Sequence, residues 1–163
     1  MKSRLSSESA GYTKALNYSF LLLRYRSRSK NEIISRLDGR RYDGKTIRKV
    51  VSYLVQYNYI NDKEFSRAFI EAGIQRGWGP RKIDFNLAKL GVAARLRTEL
   101  LSRNVDYSCQ IKHLIEKRDR SLGPVKDRAA ARKKAQKILR YLLGRGFRYQ
   151  DVIREMEDRI TNF

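Results

Sequence analysis

The reading of the fold rests on Ser29-Lys-Asn-Glu-Ile-Ile-Ser-Arg-Leu-Asp-Gly39 and the segment that follows it to Gln56. Ser29 with Glu32 three residues later forms a capping box: the Ser29 hydroxyl accepts from the Glu32 N–H, and the Glu32 carboxylate accepts from the Ser29 N–H. Ile33, Ile34 and Leu37 give the helix it opens an apolar side, and the helix ends near Gly39. Asp43 is the next N-cap. Beyond it Ile47, Val50, Val51, Leu54 and Val55 recur at i, i+3, i+4, i+7 and i+8, one face of an α-helix. Upstream, Ala15, Leu16, Tyr18, Phe20, Leu22 and Leu23 supply an earlier apolar segment. Three helices therefore occupy the first stretch of chain.

The pattern then begins again. Asn61-Asp-Lys-Glu64 places an N-cap residue before Phe65, Ala68, Phe69 and Ala72. Gly77-Trp-Gly-Pro80 breaks the chain, and Pro80 fits the first position of a new helix, where its missing N–H is not needed. Ile83, Leu87 and Leu90 follow, with Gly91 as a stop, then Leu96, Leu100 and Leu101. A third, looser round carries Ile111, Leu114 and Ile115, a break at Gly123-Pro124, then Ala131, Ala135, Ile138, Leu139 and Leu142. Gly144-Arg-Gly146 ends that helix, and Val152, Ile153, Met156 and Ile160 mark the last one. Leu37, Leu87 and Leu139 fall at similar places in the three middle helices, near Gly39, Gly91 and Gly144. The expected fold is all-α, with three tandem three-helix repeats of about 50 residues that share one core by stacking. The expected boundaries are a flexible N-terminus over 1–12 and repeats over 13–58, 59–104 and 105–163.

Composition narrows the function. The 163 residues hold 37 Lys and Arg against 17 Asp and Glu, a formal charge of +20. With 41% apolar residues the chain can still build a core. No run reaches the roughly 18 apolar residues of a membrane span. Met1 to Gly11 is polar, without a signal-peptide core. The single cysteine, Cys109, has no partner for an internal disulfide, so a reducing, cytoplasmic compartment is expected. The cation excess points to a polyanionic partner, nucleic acid before an anionic membrane or an acidic protein.

The charge is uneven. Residues 24–49 hold ten basic and three acidic side chains, residues 117–148 twelve and two, and residues 50–75 two and three. Lys133, Lys137 and Arg140 lie at i, i+4 and i+7, opposite the Ala131/Ala135/Ile138/Leu142 face. Arg24, Arg26, Arg28 and Lys30 straddle a helix end, where part of their role is to offset the helix dipole. Tyr25, Tyr42, Tyr53, Tyr57, Tyr59, Trp78 and Tyr149 are interleaved with these clusters. Packing is the commoner use of such rings and base stacking the alternative. The second and third helices also fit a helix-turn-helix with Ile47 to Gln56 as the reading helix, a weak signal in any trihelical unit.

Nothing assembles an active site. There is no phosphate-binding loop, and Gly77-x-Gly79 and Gly144-x-Gly146 are explained by chain breaks. Cys109 and His113 stand four residues apart without an orienting third group. One His and one Cys leave no zinc cluster. No catalytic residue, metal or cofactor is expected.

Taken together the motifs resemble the RecX family of bacterial recombination regulators. The resemblance runs from Ala15-Leu-Asn-Tyr-Ser-Phe-Leu-Leu-Leu-Arg-Tyr-Arg26 through Arg28-Ser-Lys-Asn-Glu32, similar to the family's Arg-Ser-x-x-Glu helix opening. Tyr59-Ile-Asn-Asp62, with Phe65 after it, is similar to Tyr-Leu-Asp-Asp, although Asn61 stands where an Asp is usual. Arg76-Gly-Trp-Gly-Pro-Arg-Lys-Ile83 is similar to Gly-x-Gly-Pro-x-x-Ile, and Leu87-Ala-Lys-Leu-Gly-Val92 to Leu-x-x-x-Gly-Ile. Arg145-Gly-Phe147 is similar to the Arg-Gly-Phe/Tyr before the last helix. Coverage is roughly residues 12–160, and the order of the motifs is more specific than any one of them.

The resemblance implies a non-enzymatic protein whose three-helix repeats form an elongated, curved array. It implies binding to RecA and the RecA–DNA filament, restraining recombinase, ATPase and coprotease activities in homologous recombination, DNA repair and the SOS response. The candidate contacts with RecA or with single- or double-stranded DNA fall in three groups. They are Arg24, Arg26, Arg28, Arg41 and Arg48; then Arg76, Trp78, Arg81 and Lys82; then Lys133, Lys137, Arg140 and Arg145. A monomer is expected, with no membrane partner. The alternative is a stand-alone basic DNA- or RNA-binding helical module.

Overall fold

The structure, a computed structural model, describes residues 2–102 and 106–160, with side chains described for 9–102 and 106–157. The expected repeat boundary at 104/105 and the Ile160 side chain lie outside the described residues. Among those described there are nine α-helices and no strand. They are α1 (Lys2–Tyr25), α2 (Lys30–Asp38), α3 (Gly44–Gln56), α4 (Asp62–Gln75), α5 (Pro80–Lys89), α6 (Ala94–Leu101), α7 (Ser108–Leu122), α8 (Arg128–Gly144) and α9 (Tyr149–Ile160). The chain is an all-α repeat fold.

The local signals act as the sequence predicts. The Ser29 hydroxyl accepts from the Glu32 N–H at 3.1 Å, and the Glu32 carboxylate accepts from the Ser29 N–H at 3.2 Å. Asp43 caps α3, its carboxylate accepting from the Thr46 N–H and hydroxyl. Asn61 accepts from the N–H groups of Lys63 and Glu64. Pro80 opens α5. α1 begins upstream of the first apolar segment.

The chain forms two compact units, residues 1–68 with 87–97 and residues 69–86 with 98–163, so α4, α5 and α6 each contribute to both. In the first, α1, α2 and α3 enclose Ala15, Ile33, Leu37, Ile47, Val50, Val51, Leu54 and Ile60. In the second, α7, α8 and α9 enclose Ile111, Leu114, Ile115, Ile138, Leu142, Phe147, Val152 and Met156.

The three middle helices α2, α5 and α8 end alike. The N–H groups of Tyr42, Val92 and Phe147 donate to the carbonyls of Leu37, Leu87 and Leu142 at 3.3, 3.1 and 3.3 Å. The N–H groups of Arg41, Gly91 and Gly146 donate one residue further on, to Asp38, Ala88 and Leu143 at 2.7, 2.9 and 2.9 Å. Those three residues have φ of 61°, 74° and 88°. This is the Schellman closure. It fixes the register of the repeat, and Leu37, Leu87 and Leu142 are all fully buried. The third equivalent is therefore Leu142, not Leu139, which is only half-buried. The left-handed residue is Arg41 rather than Gly39, which is ordinary αR, and Gly146 rather than Gly144.

Each unit uses one of these closures as a joint. In the first unit the start of α2 docks on the end of α5: the Ser29 hydroxyl donates to the Leu90 carbonyl at 2.5 Å, and Asn31 lies against Gly91. The Lys30 N–H also donates to Asp62 at 2.7 Å. In the second unit the start of α5 docks on the end of α8: the Gly79 N–H donates to the Arg145 carbonyl at 2.8 Å and the Arg81 N–H to the Gly146 carbonyl at 3.0 Å. Here backbone meets backbone, and a Cβ on Gly79 would strike Gly146 and Phe147 while one on Gly146 would strike Lys82. Gly77-x-Gly79 and Gly144-x-Gly146, read from sequence as chain breaks, include the two halves of this joint.

Candidate nucleic-acid interface

In the first unit the leading basic cluster is partly neutralised. Arg26 forks onto Glu32 at 2.5 and 3.2 Å, and Arg28 lies 3.5 Å from the same carboxylate while donating to the Leu22 carbonyl at 3.3 Å. Burial alone would raise the Glu32 pKa. The hydrogen bonds from Arg26 and from the Ser29 N–H, and the two arginine charges, outweigh burial and hold it below the usual carboxylate value. The Arg26 pKa is raised by the hydrogen bond to Glu32, whereas burial and then the Arg26 charge lower that of Arg28. Arg28, half-buried, is thus part of the fold. Arg24 and Arg41 are exposed, and the outward side of α3 presents Arg48, Lys49, Ser52 and Val55. Arg40 rests 3.9 Å from the Tyr18 ring centroid. Tyr53, Tyr57, Tyr59 and Phe20 make one aromatic cluster, with Tyr57 and Tyr59 more than half exposed.

In the second unit cations are held by rings instead of carboxylates. Trp78, half-buried, packs against Phe69 at 6.1 Å and carries Arg76 and Lys82, each 5.4 Å from its ring centroid. Tyr141 carries Arg145 at 5.1 Å and Arg118 at 5.3 Å. Arg145 links the two sets by donating to the Arg76 carbonyl at 2.7 Å and the Gly77 carbonyl at 3.5 Å, which satisfies the end of α4. Arg81 is exposed at the start of α5. The α8 stripe lies as expected, with Lys133, Lys137 and Arg140 exposed and no ion pair on them among the described residues. Lys134 beside them is half-buried instead, bonded to Asp119 at 2.9 Å and to the Gly123 carbonyl at 2.7 Å.

A cleft of about 600 Å³ opens beside the ring-held cations, lined by Arg76, Gln110, His113, Lys117, Tyr141 and Arg145, with Cys109 at its edge. The Gln110 amide donates to the Ile74 carbonyl, and its buried Oε1 accepts no hydrogen bond. The one acid there, Asp106, accepts from the Ser108 N–H and hydroxyl, which hold its pKa low. Sequence reasoning missed Lys117, Arg118 and Tyr141. The i, i+4 spacing of Tyr141 and Arg145 is legible on a helix, but only the fold brings α7 alongside. Cys109 and His113 are exposed, and the described residues hold no group of three or more His, Cys, Asp or Glu able to bind a metal. A second cleft of about 470 Å³ mixes Arg148 and Arg154 with Asp151 and Glu155. No described helix is long and apolar enough to cross a membrane.

These features define an all-α protein of repeated three-helix modules with an exposed cationic surface. In sequence and in fold the chain is similar to the RecX regulatory proteins. The family model for the RecX second three-helix domain matches residues 61–101. The regulatory protein RecX of Clostridium tetani is 24% identical over 152 residues, covering 91% of this chain and 68% of that protein. That of Clostridium botulinum strain Eklund 17B is 28% identical over 140 residues, covering 83% and 63%. The chain thus spans about two thirds of the length of such relatives. The crystal structure of RecX from Lactobacillus salivarius superposes with a TM-score of 0.78 at 25% identity, covering 94% of this chain and 97% of that one.

Proposed function

We propose that this protein binds RecA and the RecA–DNA filament in the cytoplasm and restrains recombinase, ATPase and coprotease activities during recombination, repair and the SOS response. It acts as a non-enzymatic monomer. The observation that carries this reading is the likeness over nearly the whole chain to a protein solved as RecX. Two features support it. Most candidate cations lie exposed, so a protein-coated polyanion has a surface to meet. The modules repeat, so several weak contacts can add through effective concentration.

The test is a titration of the DNA-dependent ATPase of RecA, with and without excess single-stranded DNA. Inhibition is expected at amounts too small to coat the DNA, and excess DNA should not abolish it. Inhibition that appears only when free DNA is saturated overturns the reading in favour of a stand-alone nucleic-acid-binding module.

A further inference from the structure

We infer that the cleft between the end of α4, α7 and α8 binds the phosphodiester backbone of a flexible single-stranded nucleic acid, with Arg76 and Lys117 as its anion contacts and Arg145 as their positioning residue. The inference deepens the proposed function by giving its nucleic-acid contact a place. Two observations converge. The cleft carries several cations and one acid, and that acid is already occupied by Ser108. Two of the cations lining it sit on aromatic rings, Arg76 on Trp78 and Arg145 on Tyr141, so their side chains are restricted before a ligand arrives. Ordering a free arginine at a phosphate costs side-chain entropy, and a ring that already holds the guanidinium removes part of that cost.

The size selects the strand form. About 600 Å³ falls in the range of small-molecule sites. A single strand can bend one or two nucleotides into such a cleft, whereas a duplex presents a stiff convex surface. Among the described residues of the first unit, Glu32 already takes the two arginines nearest the start of α2.

Cys109 supplies the test in the unaltered protein, since it is the single cysteine and lies exposed at the cleft edge. Its reaction with a thiol reagent is followed with and without a saturating oligothymidine of twenty nucleotides. A slowing of roughly tenfold is expected from occlusion, and an unchanged rate overturns the inference. Arg76→Gln with Lys117→Gln, both exposed positions, should weaken binding of the same oligonucleotide by about tenfold. It should also lower the slope of log affinity against log salt by about 1.4, from two lost contacts. Lys126→Gln with Arg132→Gln removes equal charge elsewhere in the unit and should change affinity by less than about threefold. Equal losses in the two variants, or an equal loss for duplex of the same length, overturn the inference. The RecA ATPase titration keeps the two readings apart. Persisting inhibition with an unprotected Cys109 sinks only the cleft, and a protected Cys109 without inhibition sinks only the regulator.

Discussion

The start of α2 in the first unit and the start of α5 in the second meet the same kind of helix closure by different means. At the first joint a side chain makes the bond, from the Ser29 hydroxyl to the Leu90 carbonyl. At the second, the Gly79 N–H bonds the equivalent Arg145 carbonyl directly. The hydroxyl holds the chains apart by the length of a side chain, so Asn31 fits beside Gly91. A Cβ would clash at either joint, on Gly91 against the Asn31 side chain and on Gly79 against rigid backbone. One architecture therefore tolerates different sequences at its joints, provided the residues on each side change together. A joint made from backbone is tighter and less forgiving.

The sharpest way to break this comparison is Gly79→Ala. It should destabilise the second unit by about 3 kcal/mol, because rigid backbone on both sides cannot yield. Thermal unfolding of the full chain measures it, and a loss near zero would show that the joint is loose. Ser29→Ala should cost less, about 2 kcal/mol, by removing the cap of Glu32 and the bond to Leu90 together. Glu32→Gln should cost about 1 kcal/mol at neutral pH, from the loss of charge at the capping box and between Arg26 and Arg28. The folded Glu32 pKa is depressed, so its contribution is fully present above the unfolded value of about 4.3 and is lost as pH falls through the lower folded one. Chemical denaturation should show wild type and variant converging in acid, and a constant gap would assign the effect to packing. The smallest change should be a gain. Arg41→Gly relieves a left-handed residue at the cost of a more flexible unfolded chain, a net of about 0.5 kcal/mol.

Much of the fold was legible because its signals are local. Ser29 with Glu32, Asp43, Asn61 and Pro80 each mark a helix start by chemistry that acts within a few residues. The face of α3 follows from periodicity alone. The third register was not legible: Leu139 and Leu142 both lie toward the apolar side of α8, and periodicity cannot say which one meets the closure. Nor does sequence reveal that Arg41 takes φ above zero, since the penalty is small enough for the rest of the closure to override. The candidate site was less legible still. The charge clusters locate cations but do not show which are spoken for, as Arg28 is by Glu32, Lys134 by Asp119 and Arg145 by the end of α4. Each of those partners is chosen by tertiary or cap geometry.

The joints also differ in when they can be made. The bond from Ser29 to Leu90 spans 61 residues, and everything it needs lies before residue 92. The backbone bonds of the second joint, from Gly79 to Arg145 and from Arg81 to Gly146, have their later half beyond residue 144. A chain emerging from the ribosome N-terminus first can close the first joint while the second still lacks one side. During that interval the Gly79 and Arg81 amides have water as their partner, and α5 is gripped at its later end before its first turn has anything to hold.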